Sequence, residues 1–141
     1  MINDGLKLKG KLAISLNGKI IQEVDNLVGT AGKGYVASRM KDATATAMSH
    51  MAIGSGSTAA AASDTALGNQ LGRVALTSTT VSNAVVTYVA SFPAGTGTGA
   101  VTEAAILNAS SGGTMLCRTV FSVVNKGAQD SMTVTWTVTV S

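Results

Sequence analysis

Glu103 is the first residue to weigh for chemistry, because it stands inside an otherwise apolar run, Val101-Thr-Glu-Ala-Ala-Ile106. A carboxylate carried into a core must be paired or protonated, since an isolated buried charge is expensive. Arg73 and Arg118 are its candidate partners. A structural ion pair with one of them is the favoured role, because no second carboxylate, histidine or metal ligand accompanies Glu103 to share acid–base work. His50 is the only histidine and Cys117 the only cysteine. One chain therefore supplies neither a two-imidazole nor a multi-cysteine metal site, and no internal disulfide. A serine nucleophile would have His50 as its only imidazole base, and no G-x-S-x-G elbow presents one. Gly54 and Gly56 lack the third glycine of a dinucleotide loop and the GK[ST] ending of a phosphate loop. The residues thus point away from an enzyme: no catalytic residue, no metal and no cofactor is expected.

Charge offers a different kind of site. Lys7, Lys9, Lys11, Lys19, Lys33, Arg39 and Lys41 face only Asp4, Glu23 and Asp25 in the first part of the chain, whereas Arg73, Arg118 and Lys126 are balanced by Asp42, Asp64, Glu103 and Asp130 beyond it. The early lysines alternate with Leu6, Leu8, Leu12, Ile14 and Leu16, so they read as the solvent face of a strand. Aromatic platforms and arginine clusters are missing, which argues against nucleic acid as the partner. Lys7, Lys9, Lys11 and Lys19 are instead candidate contacts to a protein partner. No window approaches the run of about 18 apolar residues that a membrane helix needs, and lysines interrupt any secretory-type segment. A soluble protein made in a cytoplasm, with no membrane partner, is expected.

The elements that must position these residues are mostly strands. Ser131 to Val140 alternates without a break: Met132, Val134, Trp136, Val138 and Val140 point one way, Ser131 and four threonines the other. That period of two is a half-buried antiparallel strand. Leu6 to Leu16, Asn17-Gly18 and Lys19 to Val24 form a hairpin pattern with a turn that tolerates positive φ. Tyr35 to Lys41 carries helical spacing after a small-residue turn at Gly29 to Gly34, and Asp64 to Arg73 offers a single helical turn with Asp64 as N-cap. Gly54 to Ser63 reads as a flexible linker or a subunit-contact loop. Further strands are expected at 74–81, 84–92, 101–107 and 115–124, separated by turn-rich stretches. The fold class is therefore mainly β: an antiparallel β-sandwich, Ig-like or jelly-roll-like, with an N-terminal hairpin arm over 1–25, a single sandwich domain over 26–141 and one short helix. With 4% aromatic residues the core is light, and the strand at 115–124 is apolar on both faces, so burial against copies of itself is expected.

Four stretches carry a resemblance. Met51-Ala-Ile-Gly-Ser-Gly-Ser-Thr-Ala through Ala-Leu-Gly-Asn-Gln-Leu-Gly-Arg73, and Phe92-Pro-Ala-Gly-Thr-Gly-Thr-Gly-Ala through Ala-Ala-Ile-Leu-Asn108, followed by Gly113-Thr-Met-Leu-Cys-Arg-Thr-Val-Phe-Ser-Val-Val-Asn-Lys126 and the threonine-alternating last strand, resemble tailed-bacteriophage virion proteins. The resemblance spans about Gly32 to the last strand and carries over no catalytic residue. It implies a small β-rich capsid decoration, or cement, protein that binds the outer surface of the virion shell as a homo-oligomer, often a trimer, with the major capsid protein as partner. The other implied role is a tail-fibre or baseplate attachment module, reading a host glycan or protein through the loops at 54–63 and 93–99. Those loops lack the aromatic platforms sugar sites use, which favours the decorator.

Overall fold

The computed structural model describes residues 7–42 and 44–140. In chain order the elements are β1 (Leu8–Leu16), β2 (Lys19–Leu27), α1 (Thr30–Lys41), β3 (His50–Gly54), β4 (Gln70–Ala75), β5 (Ser78–Ser82), β6 (Val85–Phe92), β7 (Gly99–Leu107), β8 (Met115–Lys126) and β9 (Met132–Val140). They form two antiparallel sheets packed face to face, one ordered β2-β1-β9-β6-β5 and the other β4-β3-β7-β8. The molecule is a β-sandwich with one helix and an N-terminal strand hairpin.

Alternation along the strands builds the core between the sheets. In β9, Met132, Val134, Trp136 and Val138 are buried while the intervening threonines are half-buried on the outer face. Leu12 and Ile14 of β1 lie opposite Trp136 and Val134, and Tyr88 and Ala90 of β6 flank the same two residues from the other side. Met51, Ile53, Val101 and Ile106 meet this layer from the second sheet. The Trp136 indole donates its N–H to Asn26 Oδ1 at 2.9 Å, so its polar edge is satisfied within the core.

The hairpin closes at Asn17 and Gly18, both at positive φ, a backbone whose twist suits the flanking strands. Residues 1–6, including Leu6 of the expected first strand, lie outside the described residues. The rest of the hairpin departs from the expected division at residue 25. β1 is paired along its whole length with β9 as well as with β2, so this segment is an inner part of the sheet and does not stand off as an arm. Its apolar face explains why: Leu12 and Ile14 are fully buried, and a sandwich lacking them would open its core.

Three local expectations are corrected. The run over 74–81 divides between the two sheets, because Leu76 N–H bonds Ser49 O and Thr77 N–H bonds Val89 O, turning the chain from β4 into β5. The helix starts at Thr30, so Gly32, read as part of a turn, lies within it. It packs against the main chain of β8, where a Cβ on Gly32 would stand 1.8 Å from Leu116 O. No helical turn forms at 64–73; Asp64 is drawn into an ion pair and Leu71 into β4.

Candidate functional site

The outer face of the second sheet carries the charged cluster. Arg118 of β8 is the cross-strand neighbour of Ala105 in β7, and Glu103 lies two residues along on the same face, opposite Gly54 of β3. The segment 55–69, between β3 and β4, folds down over them. Glu103 Oε2 accepts the Gly56 and Asn69 amides at 2.7 and 2.8 Å. Its Oε1 accepts the Gly68 amide at 2.8 Å and Arg118 Nε at 3.0 Å. Arg118 also donates through Nη1 to Asp64 Oδ2 at 2.8 Å and through Nη2 to Thr58 O at 2.9 Å. Thr102 Oγ1 holds Gly56 O, and Leu67 covers Ala52, Ala105, Leu107 and Met115.

This arrangement is a fastening. A carboxylate has about four acceptor positions, and Glu103, fully buried, uses four. Burial by itself pushes the Glu103 carboxyl up, but the amides of Asn69, Gly68 and Gly56, with Arg118, outweigh it and hold the pKa below the ordinary carboxylate value. Asp64 is also held low, first by the Ala61 amide and, against some desolvation, by Arg118. Both carboxylates therefore stay ionised at neutral pH, and Glu103 offers no lone pair to an outside molecule.

Of the two arginines proposed beside Glu103, the structure brings only Arg118 to it. Arg73 points along the face to another loop, where its guanidinium donates to Ala109 O and Gly112 O at 2.9 and 3.0 Å and to Gln70 Oε1. The stretch 54–63, read as a flexible linker or a subunit-contact loop, is tied down within the chain at Gly56 and Thr58, and the residues that follow it at Asp64, Gly68 and Asn69. The segment 55–69 also supplies the second burial of β8 that had suggested a subunit interface: Met115 is covered by this chain's own Leu67, and β8 is further packed by α1.

A second fastening, which sequence reasoning missed, uses Lys126. Its side chain is 1% exposed, and Nζ donates to Pro93 O at 2.9 Å and Asp130 O at 2.7 Å. Burial lowers its pKa, with Asp130 partly opposing. The only signal in the sequence was a lysine two residues past the largely apolar run Val120-Phe-Ser-Val-Val124. Cys117 is enclosed, and burial pushes its thiol pKa well up. His50 Nδ1 lies 2.7 Å from Ser49 Oγ. Among the described residues no group of three or more His, Cys, Asp or Glu is placed to hold a metal ion.

The lysines lie outside these networks. Lys9 and Lys11 are exposed on the outer face of β1, and Lys11 stands 3.9 Å from Glu23 with both side chains more than half exposed. Lys19 is exposed just past the hairpin turn, remote along the strand from Lys9. Lys7 and Lys9 border an open groove of about 800 Å³ together with Lys33, Leu8, Val36, Ala37, Met40 and Val140. Met40 is 78% exposed. The groove thus pairs an apolar floor from α1 and the sheet end with three cations, and Lys11 and Lys19 are not part of its lining.

Comparisons with protein-family models, with curated proteins and with solved structures found no match.

Proposed function

We propose that this chain is a non-enzymatic structural protein of a bacteriophage virion. In this reading it is a capsid decoration, or cement, protein that binds the outer shell surface as a homo-oligomer, a trimer being favoured, with the major capsid protein as its partner. The observation that carries the reading is where the surface features lie. The charged cluster best suited to chemistry is saturated in holding 55–69 down, whereas Lys7, Lys9 and Lys33 rim an open apolar groove on a rigid sandwich. That combination fits a protein partner that is acidic at its rim and apolar at its centre, a common composition for contacts between proteins. The resemblance of the 51–73 and 92–108 stretches to tailed-phage virion proteins supplies the setting. The mechanism is multivalent clamping, in which modest contacts repeated by an oligomer give avidity on a repeating shell.

Quantitative mass spectrometry of purified virions tests this by comparing copies of this chain with copies of the major capsid protein. Near-stoichiometric abundance is expected. A handful of copies would move the protein to the tail or baseplate, and absence from particles would end the virion reading.

A further inference from the structure

Four strands end the two sheets, and three of them are guarded against further pairing. β2 carries Lys19, Glu23 and Asp25, has a register shift against β1, and its Gln22 Nε2 donates to Ser122 O of β8. β8 is bridged at Cys117 by Val28 and packed by α1. β4 carries Arg73 and a register shift against β3. Among the described residues, β5 has none of these protections. Its sequence is Ser78-Thr-Thr-Val-Ser82, without charge, proline or register shift against β6, and every residue in it is exposed, Val81 at 70%. An edge of this kind presents free N–H and C=O groups in a row and is a template for another strand.

We propose that β5 is a self-pairing edge: it joins β5 of a second copy of this chain, antiparallel about a two-fold axis at Thr80, so that the two five-stranded sheets become one. The sequence of the strand selects this occupant. In the two-fold register Ser78 faces Ser82, Thr79 faces Val81 and Thr80 faces itself. Each exposed Val81 then meets a β-branched threonine, a favourable cross-strand pair, and no charge is set against its own copy. The contact is isologous and closes at two copies, so it is compatible with a different contact elsewhere that builds a larger ring. Five residues of strand bury less than the roughly 1,000 Å² expected of a stable dimer, so the association is reversible and depends on concentration. It stands independently of any place in a virion.

Cysteine cross-linking of the full chain tests the register. Facing residues of an antiparallel pair have Cα atoms about 4.5–5.5 Å apart, within the reach of a disulfide. Thr80→Cys is therefore expected to form a disulfide-linked dimer under mild oxidation at least about tenfold faster than Ser122→Cys, an exposed control on β8, because pairing raises the local thiol concentration. The enclosed Cys117 contributes no background in the folded protein. Val81→Lys in the Thr80→Cys background should remove that advantage while leaving Trp136 fluorescence unchanged, which separates loss of pairing from loss of fold. Selective cross-linking supports the proposal at any dimer affinity. Cross-linking of Thr80→Cys no faster than the control overturns it, whatever oligomer the protein forms through other surfaces.

Discussion

Glu103 shows how one side chain can be indispensable without being reactive. Replacing it with glutamine keeps the volume but turns one oxygen into a donor. Either amide orientation sets that donor against two others, Gly68 N–H with Arg118 Nε or Gly56 N–H with Asn69 N–H. Arg118, buried and 4% exposed at its side chain, keeps only Asp64 as an ionic partner. Breaking a buried pair from one side costs about 3–5 kcal/mol, and Glu103→Gln should lower stability to urea by that amount at pH 7. The pH dependence follows from the direction of the shift. Because the folded pKa of Glu103 lies below its ordinary value of 4.5, its contribution is complete above that value and is lost as pH falls through the depressed folded one. The wild type should therefore lose more stability between pH 7 and pH 3 than Glu103→Gln does. Equal losses in the two proteins would show that Glu103 is not the acid-sensitive fastening. Lys126→Met offers a parallel case: it strands Pro93 O and Asp130 O. A loss of about 3 kcal/mol is expected from two charge-assisted hydrogen bonds, read as a shift in the urea midpoint.

Among the elements, the segment 55–69 is the one whose behaviour its composition misrepresents. Gly54-Ser-Gly-Ser-Thr followed by an alanine run has the makeup of a linker, yet Glu103 and Arg118 reach it from 34 to 60 residues away along the chain. Such fastening is illegible in a local pattern, because only the pairing of β7 with β8 sets the two side chains side by side. The same limit explains β3. Met51-Ala-Ile53 is too short for any period to declare itself, and its burial on both faces comes from the opposing sheet over Met51 and Ile53 and from Leu67 over Ala52. Where one face was wet the pattern was plain, as in β9 and the β1–β2 hairpin. The charged pair was half legible: Glu103 stood out as a carboxylate in an apolar strand, but choosing Arg118 over Arg73 required the register. A structural consequence can be measured at Gly56, where a Cβ would come 2.5 Å from Glu103 Oε2. Gly56→Ala should lift the segment and make it sensitive to elastase, which cleaves after small residues, within the exposed run Ala59–Ala62. The wild type should resist under conditions that cut the variant.

At the scale of the whole molecule, the hairpin has two separable jobs, one in the sheet and one at the surface, and this decides how partner binding must be tested. Deleting residues 1–25 removes Leu12 and Ile14 from the core, each worth about 1.5–3 kcal/mol of burial, and strips β9 of its neighbour. Against a total stability of about 5–15 kcal/mol that deletion is expected to unfold the protein, so loss of binding in it would say nothing about contact. Reversing charge on the outer face avoids the difficulty. Lys9, Lys11 and Lys19 are exposed, and the ion pair of Lys11 with Glu23 is long and solvated. Exposed pairs of this kind contribute at most about 1 kcal/mol. Lys7→Glu combined with Lys9→Glu and Lys33→Glu alters the rim of the groove, while Lys11→Glu combined with Lys19→Glu alters the strand face away from it. Both variants should stay folded, with Trp136 fluorescence like that of the wild type. If the groove is the capsid contact, the first should lose most of its binding to shells lacking the protein and the second should keep it. Added salt should weaken the wild type toward the first variant, since exposed charges are screened over about 10 Å at 0.1 M. Equal binding by all three proteins would remove the lysines from the contact and leave the apolar surface to account for it.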